Sequence, residues 1–198
     1  STTGGMVGAM IIGFQRAVFS NEAGIGSASI AHSAVQSKEP VSEGIVSLLE
    51  PFIDTMVICT LTSLVIVSTA YPAGLMDSGL EGIELTSAAF AYHISWAPYP
   101  LAIAGLLFAF STSLAWSYYG LQSWKFLFGR GRVADLTYKV LFLMFVVIGA
   151  AASMNSIWAF SDAMILALVF PNMIGLFILF PKVKEELAKY VEVINSRK

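Results

Sequence analysis

A polar stretch with the sequence Phe-Ser-Asn-Glu-Ala-Gly-Ile-Gly, residues 19–26, separates two apolar segments of the chain. Together these segments predict one hydrophobic helix, about residues 4–35, that is broken in its middle. A break in a membrane helix leaves backbone N–H and C=O groups without helical partners, and hydrocarbon contains no water to satisfy them. Such breaks occur where irregular backbone lines a cavity and binds a ligand. The residues alone also allow an ordinary turn at the membrane surface.

The break contains groups for both an anion and a cation. N–H groups at the start of the second half-helix carry a partial positive charge that suits a carboxylate, and carbonyls at the end of the first half suit a cation. Gly24 and Gly26 permit unusual dihedrals and close approach of the backbone. Phe19 is expected to cover the site as an apolar lid. Ser20 lies within the break, and Asn21 is either a ligand or a helix cap.

Four of the ionisable residues in or beside the first apolar segments are candidates for a role in the site. A charge in the hydrocarbon costs about 3 kcal/mol or more, so such residues are functional candidates unless they are paired. For Glu22 a functional role and bonding to nearby N–H groups stay equally open. Asp54 is predicted to pair with Arg16 in a structural or gating role. His32 is expected near the cytoplasmic face, with a proton relay as the lesser alternative.

The composition places the chain in a bilayer. Of its 198 residues 57% are hydrophobic and 12% are charged, and the mean hydropathy is +0.75. Soluble domains carry about 25% charged residues. The sequence has no glycine-rich phosphate loop, no CxxC or HExxH motif and no sign of nucleic-acid binding. Two well-separated histidines and one cysteine also argue against a membrane-embedded enzyme.

Apolar runs after the broken helix predict four more membrane helices, which would make five segments in all. Their expected bounds are about residues 41–71, 98–124, 136–154 and 157–181, followed by a charged tail, residues 182–198. A short surface helix is expected at residues 87–95. Because the first residues lead directly into an apolar segment, the chain is expected to be the C-terminal part of a longer transporter.

The distribution of basic residues predicts the orientation. The loop around residues 125–139 carries two lysines and two arginines against one aspartate, and the tail is also basic, whereas residues 71–98 contain no lysine or arginine. Basic connections stay on the cytoplasmic side of a membrane. The sequence therefore predicts a multi-pass protein of the cell membrane whose C-terminus is cytoplasmic.

Two runs carry a family resemblance: GFQRAVFSNEAGIGSASIAHSAV and EPVSEGIVSLLEPFIDTMVICTLTSLVIV. They resemble the alanine or glycine:cation symporter family, in which R-G-x-F-S-N-E-A-G-x-G-S is followed by H-P-V-x-x-G and F-x-D-T-x-x-x-C-T. The departures are Ala17 where glycine is usual and Glu39 where histidine is common, and neither touches the central motif. The match is close over roughly the first 70 residues and extends to the layout of the rest.

This family is identified as a branch of the amino acid–polyamine–organocation superfamily with a leucine-transporter-like (LeuT-like) fold. That fold has two inverted repeats of five helices, and the first helix of each repeat is unwound at mid-membrane. The resemblance implies an all-α membrane protein in which this chain is the second repeat, with the broken helix first. Its partner would be the N-terminal half of the same transporter, carrying the other broken helix.

The resemblance also implies a sodium site on the third helix. Ala109, Thr112 and Ser113 lie at positions i, i+3 and i+4 and share one helix face. A freed carbonyl at Ala109 and two hydroxyls would supply oxygen ligands, which suit a hard cation. The alternative is that the hydroxyls bond back to the preceding turn. Trp116, one turn beyond Thr112, either limits the size of the substrate or merely packs.

The function implied is sodium-coupled symport of a small neutral amino acid, alanine or glycine, by alternating access. Na⁺ is then a co-transported ion. A proton-coupled transporter of the same fold is the nearest alternative, and a channel or sensor is less favoured. The implied substrate residues are Phe19, Ser20, Asn21, Gly24, Thr112 and Trp116.

Overall fold

A computed structural model describes residues 2–75 and 77–196. All regular structure in this part of the chain is helical, as the sequence predicts, and it contains no strand. The last two residues of the predicted tail, Arg197 and Lys198, lie outside the described residues, as do Ser1 and Met76.

The contacts divide the chain into two units, Ser1–Phe52 with Leu121–Lys198, and Ile53–Gly120. The helices that lie in the first unit are α1 Thr2–Asn21, α2 Ser27–His32, α3 Pro40–Ser47, α4 Leu49–Pro51, α8 Arg132–Ala151 and α9 Met154–Ser196. The second unit holds α5 Thr60–Ala70, α6 Gly82–His93 and most of α7, which runs from Pro98 to Phe128. A π-helical segment, Phe52–Cys59, precedes α5.

Within the described residues, four helical stretches are long and apolar enough to cross a membrane. They are Pro40–Ala70, Pro98–Phe128, Arg132–Ala151 and Met154–Ser196. The broken helix that the sequence predicts as a fifth membrane segment consists of α1 and the short α2 and is not among them. Few large apolar side chains are buried within the chain, and Phe14, for example, is 70% exposed. Such surfaces are suited to contact lipid or other helices.

The last helix differs from the expected layout. The sequence predicts a polar turn at residues 154–156, a span over 157–181 and then a tail, whereas α9 is one helix from Met154 to Ser196. Pro171 and Pro181 lie inside it. Each proline lacks an N–H and therefore leaves a carbonyl four residues earlier without its helical donor, a defect that membrane helices tolerate.

The predicted surface helix is longer than expected and packs against its neighbour. It is α6, Gly82–His93, and its Ala89 is completely buried. Thr69 of α5 is also completely buried, and its Oγ1 lies 3.3 Å from Nε2 of His93. The contact between α5 and α6 thus forms a small core within the second unit.

Candidate functional site

The break lies where the sequence predicts it. Between the end of α1 at Asn21 and the start of α2 at Ser27, three residues have left-handed backbone: Glu22 with φ 55°, Gly24 with φ 85° and Gly26 with φ 92°. The glycines adopt this conformation freely, which confirms the role predicted for their dihedrals. For Glu22 the same conformation costs about 1–2 kcal/mol, so the surrounding contacts must hold it.

Local hydrogen bonds shape the backbone of the break. Oδ1 of Asn21 accepts a hydrogen bond from the N–H of Ala23 at 2.9 Å, and the N–H of Ile25 donates to the carbonyl of Glu22 at 3.4 Å. The side chain of Asn21 therefore closes a turn directly after α1, and both roles that the sequence left open, ligand and helix cap, stay predictions. Ile25 is 4% exposed and anchors the segment between the two helices.

Asn172 of α9 holds the break from the other side. Its Nδ2 donates a hydrogen bond to the carbonyl of Gly24 at 2.8 Å. A Cβ atom added to Gly26 would lie 3.1 Å from Oδ1 of Asn172, so a side chain at position 26 would require Asn172 to move. In the sequence, Pro171 and Asn172 interrupt an apolar run, and no local pattern indicates a partner for Asn172. The available signal was an amide next to a proline in the middle of a membrane span.

Ser27 is a second residue that sequence reasoning missed. It is 6% exposed, and its Oγ has no hydrogen-bond partner among the residues that the structure describes. A buried hydroxyl without a partner is unfavourable by about 1–3 kcal/mol, so it marks a place where a polar group of a ligand would be stabilised. The available signal was its position directly after the second glycine of the break.

A cluster of charge and aromatic rings fixes the end of α1. Nη2 of Arg16 forms an ion pair with Oδ2 of Asp162 on α9. The guanidinium carbon of Arg16 also lies 4.4 Å from the centre of the Trp158 ring. Phe19 contacts the same ring edge to face at 5.3 Å. Arg16 thus has a neutralising partner and a cation–π contact one turn before the break.

Phe19 and Asp54 are two further residues for which the sequence predicts a role. Phe19 is half-buried against Trp158 and lies three residues before Glu22, and its role as a lid stays a prediction. Asp54 lies in the π-helical segment. The pairing of Asp54 with Arg16 stays a prediction. Arg16 pairs with Asp162 in the structure, and the sequence did not predict this pair.

A histidine between two carboxylates links α2 to the helix that follows it. Nδ1 of His32 lies 2.7 Å from Glu43 and Nε2 lies 3.3 Å from Glu50. A neutral imidazole has only one N–H donor, so it can donate to only one of the two carboxylates. Both contacts become hydrogen bonds when either the imidazole or a carboxylate carries an additional proton. The cluster is therefore a place where a proton can be held.

The predicted sodium face lies on an unbroken helix. Ala109, Thr112 and Ser113 are exposed and share one face of α7, but Oγ of Ser113 donates to the carbonyl of Ala109 at 2.8 Å. The Ala109 carbonyl thus accepts a hydrogen bond within a continuous α7, and its role as a sodium ligand stays a prediction. A hydroxyl that donates still has lone pairs for a cation, so the face still presents oxygen atoms.

Two further observations bear on the predicted sodium face. Trp116 is half-buried and packs edge to face against Tyr119, with ring centres 6.0 Å apart. No group of three or more histidine, cysteine or acidic residues that could hold a metal ion occurs in the described ranges. The donors in this region are hydroxyl and carbonyl oxygens, which suit Na⁺ better than a transition metal.

Comparisons with known proteins point to one family. The model of the sodium:alanine symporter family matches residues 1–198. Among curated proteins, the sodium/alanine symporter AgcS of Methanococcus maripaludis is 37% identical over 193 residues, which cover 96% of this chain and 42% of that protein. The probable sodium/glutamine symporter GlnT of Bacillus subtilis is 36% identical over 190 residues, covering 94% of this chain and 39% of that protein.

A third relative differs in the ion that its name gives. The putative sodium/proton-dependent alanine carrier protein YrbD of Bacillus subtilis is 30% identical over 194 residues, covering 90% of this chain and 40% of that protein. The chain thus spans about two fifths of the length of these relatives. No solved structure matches it.

Proposed function

The chain belongs to the sodium:alanine symporter family, a family of transporters rather than enzymes, and we propose that it forms part of a sodium-coupled symporter for a small neutral amino acid. Alanine or glycine is the proposed substrate, and it moves by alternating access. Na⁺ is the proposed co-transported ion. Because coupling is reciprocal, each ligand raises the affinity for the other.

The observation that carries this proposal is the geometry of the break. Left-handed backbone at Gly24 and Gly26 exposes peptide groups between two half-helices, and the buried Oγ of Ser27 offers a hydroxyl beside them. Phe19, Ser20, Asn21 and Gly24 are the residues that we assign to the substrate on α1 and the break. A ligand the size of glycine or alanine suits this segment because Asn172 approaches Gly26 closely.

For α7 the proposal concerns ligand chemistry alone. Ala109, Thr112 and Ser113 supply the sodium ligands, and Thr112 and Trp116 also line the substrate cavity. The Ala109 carbonyl accepts a hydrogen bond from Ser113 in this structure. The hydroxyl oxygens are therefore the stronger sodium ligands of the set. Glu22, Arg16 and Asp54 are proposed as structural or gating charges.

The finer features of the fold belong to the same proposal. We assign the chain to the second repeat of a LeuT-like transporter, which pairs with an N-terminal half. The order of a broken helix followed by four long apolar helices supports this assignment. The basic connection between α7 and α8 supports a cytoplasmic location for that loop and for the C-terminus.

The test is uptake of labelled alanine by the full-length protein in liposomes. We expect uptake to follow an inward Na⁺ gradient, and uptake that ignores this gradient would reject sodium coupling. Thr112→Ala and Ser113→Ala should each raise the half-saturating Na⁺ concentration about 5-fold or more, a loss of about 1 kcal/mol per oxygen ligand. Ser111→Ala is the matched control, because Oγ of Ser111 bonds back to Phe108 and lies off the proposed face.

Proton coupling is the second candidate, and the cluster of His32 with Glu43 and Glu50 favours it. The name of one relative also includes protons. If protons drive uptake, a pH gradient alone supports it without Na⁺, and His32→Gln abolishes that component. With sodium as the driving ion, His32→Gln leaves the dependence on Na⁺ unchanged.

A further inference from the structure

A basic cavity lies at the connection between α7 and α8. It has a volume of about 430 Å³ and is lined by Gln122, Lys125, Arg130, Arg132 and Asp135. All of these residues belong to the unit that contains α8 and α9. None of them takes part in the break or in the proposed sodium face.

The charges around the cavity are not balanced. Asp135 lies 3.1 Å from Nζ of Lys125 and 2.6 Å from Nζ of Lys139, so both lysines share one carboxylate. Arg130 and Arg132 have no acidic partner in the described part of the chain. With three cations and one anion in its lining, and Lys139 also bonded to that anion, the cavity favours a ligand that carries negative charge.

The backbone adds to this preference. Gly131 precedes the first residue of α8 and provides no side-chain cap, so N–H groups of the first turn face the connection without a side-chain acceptor. The start of a helix also carries a partial positive charge. The two arginines flank this helix start, one on each side of Gly131, and their planar guanidinium groups suit the oxygens of a phosphate.

Apolar and aromatic side chains next to the cavity place it at a membrane surface. The two helices that it connects are both long and apolar enough to span a bilayer. Phe126 is 90% exposed, and Val133 is 80% exposed. The ring of Trp124 packs against Phe128 at 4.2 Å and Tyr138 at 5.9 Å, and aromatic belts of this kind occur where bilayer and water meet.

We propose that this cavity binds the phosphate headgroup of an anionic phospholipid, with Arg130 and Arg132 on the phosphate and the acyl chains against the exposed apolar residues. A phospholipid carries both a phosphodiester and hydrocarbon chains, so at the membrane surface it can contact the arginines and the exposed apolar residues together. A free phosphate would use only the charged part of the cavity and would leave Phe126 and Val133 exposed. The proposal does not depend on the transport activity.

The test compares the thermal unfolding of the full-length protein in nanodiscs of phosphatidylglycerol and of phosphatidylcholine with the same acyl chains. We expect the wild type to melt at least 3 °C higher in phosphatidylglycerol, and the double variant Arg130→Gln/Arg132→Gln to lose more than half of this difference. Arg130→Lys/Arg132→Lys should retain part of it. The matched control is Lys182→Gln/Lys184→Gln, which removes two cations from α9 outside the cavity.

Three outcomes would overturn the proposal. In the first, the double arginine variant keeps the full difference. In the second, the lysine control loses as much as that variant, which would indicate general surface charge. In the third, inorganic phosphate added to phosphatidylcholine nanodiscs would reproduce the shift, which would indicate a free anion. Comparing all variants in phosphatidylcholine separates a loss of folding from a loss of lipid binding.

Discussion

The break at residues 19–27 and the α7 face at residues 109–116 are both proposed to bind ligands, but they are positioned differently. Asn172 and Asp162 of α9 hold the break and the end of α1, although each lies more than a hundred residues away in sequence. The hydroxyl of Ser113 on the α7 face bonds to a carbonyl four residues earlier on the same helix.

The contrast shows which part of the proposed site is preformed within this chain. Contacts across long sequence separations hold the break in a strained shape, with Glu22 in a left-handed conformation. The α7 face is regular helix and needs no support from other elements to keep its shape. Substitutions at the contacts of the break should therefore affect folding and transport, whereas those on the α7 face should affect ligand binding with little effect on folding.

The largest effect is expected at the ion pair that anchors α1. Asp162→Ala leaves Arg16 without its neutralising partner and should destabilise the protein by about 2–4 kcal/mol, less than for a fully buried pair because both side chains are partly exposed. Thermal unfolding of the detergent-solubilised protein measures this effect. Glu185→Ala is the control, since its pair with Lys189 is exposed and should contribute little to stability. Equal losses in both variants would contradict the anchoring role.

The next effect separates the two glycines of the break. Gly24→Ala and Gly26→Ala both place alanine in left-handed backbone, which costs about 1–2 kcal/mol. An added Cβ atom would meet Asn172 at position 26 and nothing within 4 Å at position 24, so Gly26→Ala should lose at least twice as much alanine uptake as Gly24→Ala. If the two variants lose equal activity, the close approach of α9 has no bearing on transport.

A smaller effect is expected at the amide that holds the break. Asn172→Ala removes the hydrogen bond to Gly24 and should cost about 1 kcal/mol of stability while raising the KM for alanine. In the Asn172→Ala background, the difference in alanine uptake between Gly24→Ala and Gly26→Ala should be smaller. A double-mutant cycle on uptake measures this change. Asn155→Ala, at an exposed position early in α9, is the control. Additive effects of Asn172→Ala and Gly26→Ala would show that the two residues act separately.

The smallest effect on stability is expected on α7. Ser111→Ala and Ser113→Ala each remove a hydroxyl bonded within its own helix, so thermal unfolding should change by less than about 0.5 kcal/mol in both variants. Only Ser113→Ala should then alter the sodium requirement. A large loss of stability in either variant would mean that this face is a structural contact.

Local signals in the sequence predicted much of this arrangement. Gly24 and Gly26 indicated the break, and long apolar runs indicated the spanning helices. Both features are set by residues adjacent in the sequence, so a local pattern can predict them. The contacts of α9 depend on helix packing across about 150 residues, and no local pattern identified Asp162 or Asn172 as the partners. The Ala109 carbonyl was expected to be free by analogy, although no proline or glycine at or directly after Ala109 interrupts α7.

The central claim is that the break binds the amino acid, and protection of a cysteine in the break tests it most directly. Ala23→Cys, in a Cys59→Ser background, places a thiol at an exposed position between α1 and α2, and Ala34→Cys places the matched control beyond α2. We predict that alanine with Na⁺ slows alkylation of the first thiol several-fold and leaves the second unchanged. An unchanged rate at position 23, or equal slowing at both positions, would contradict the account.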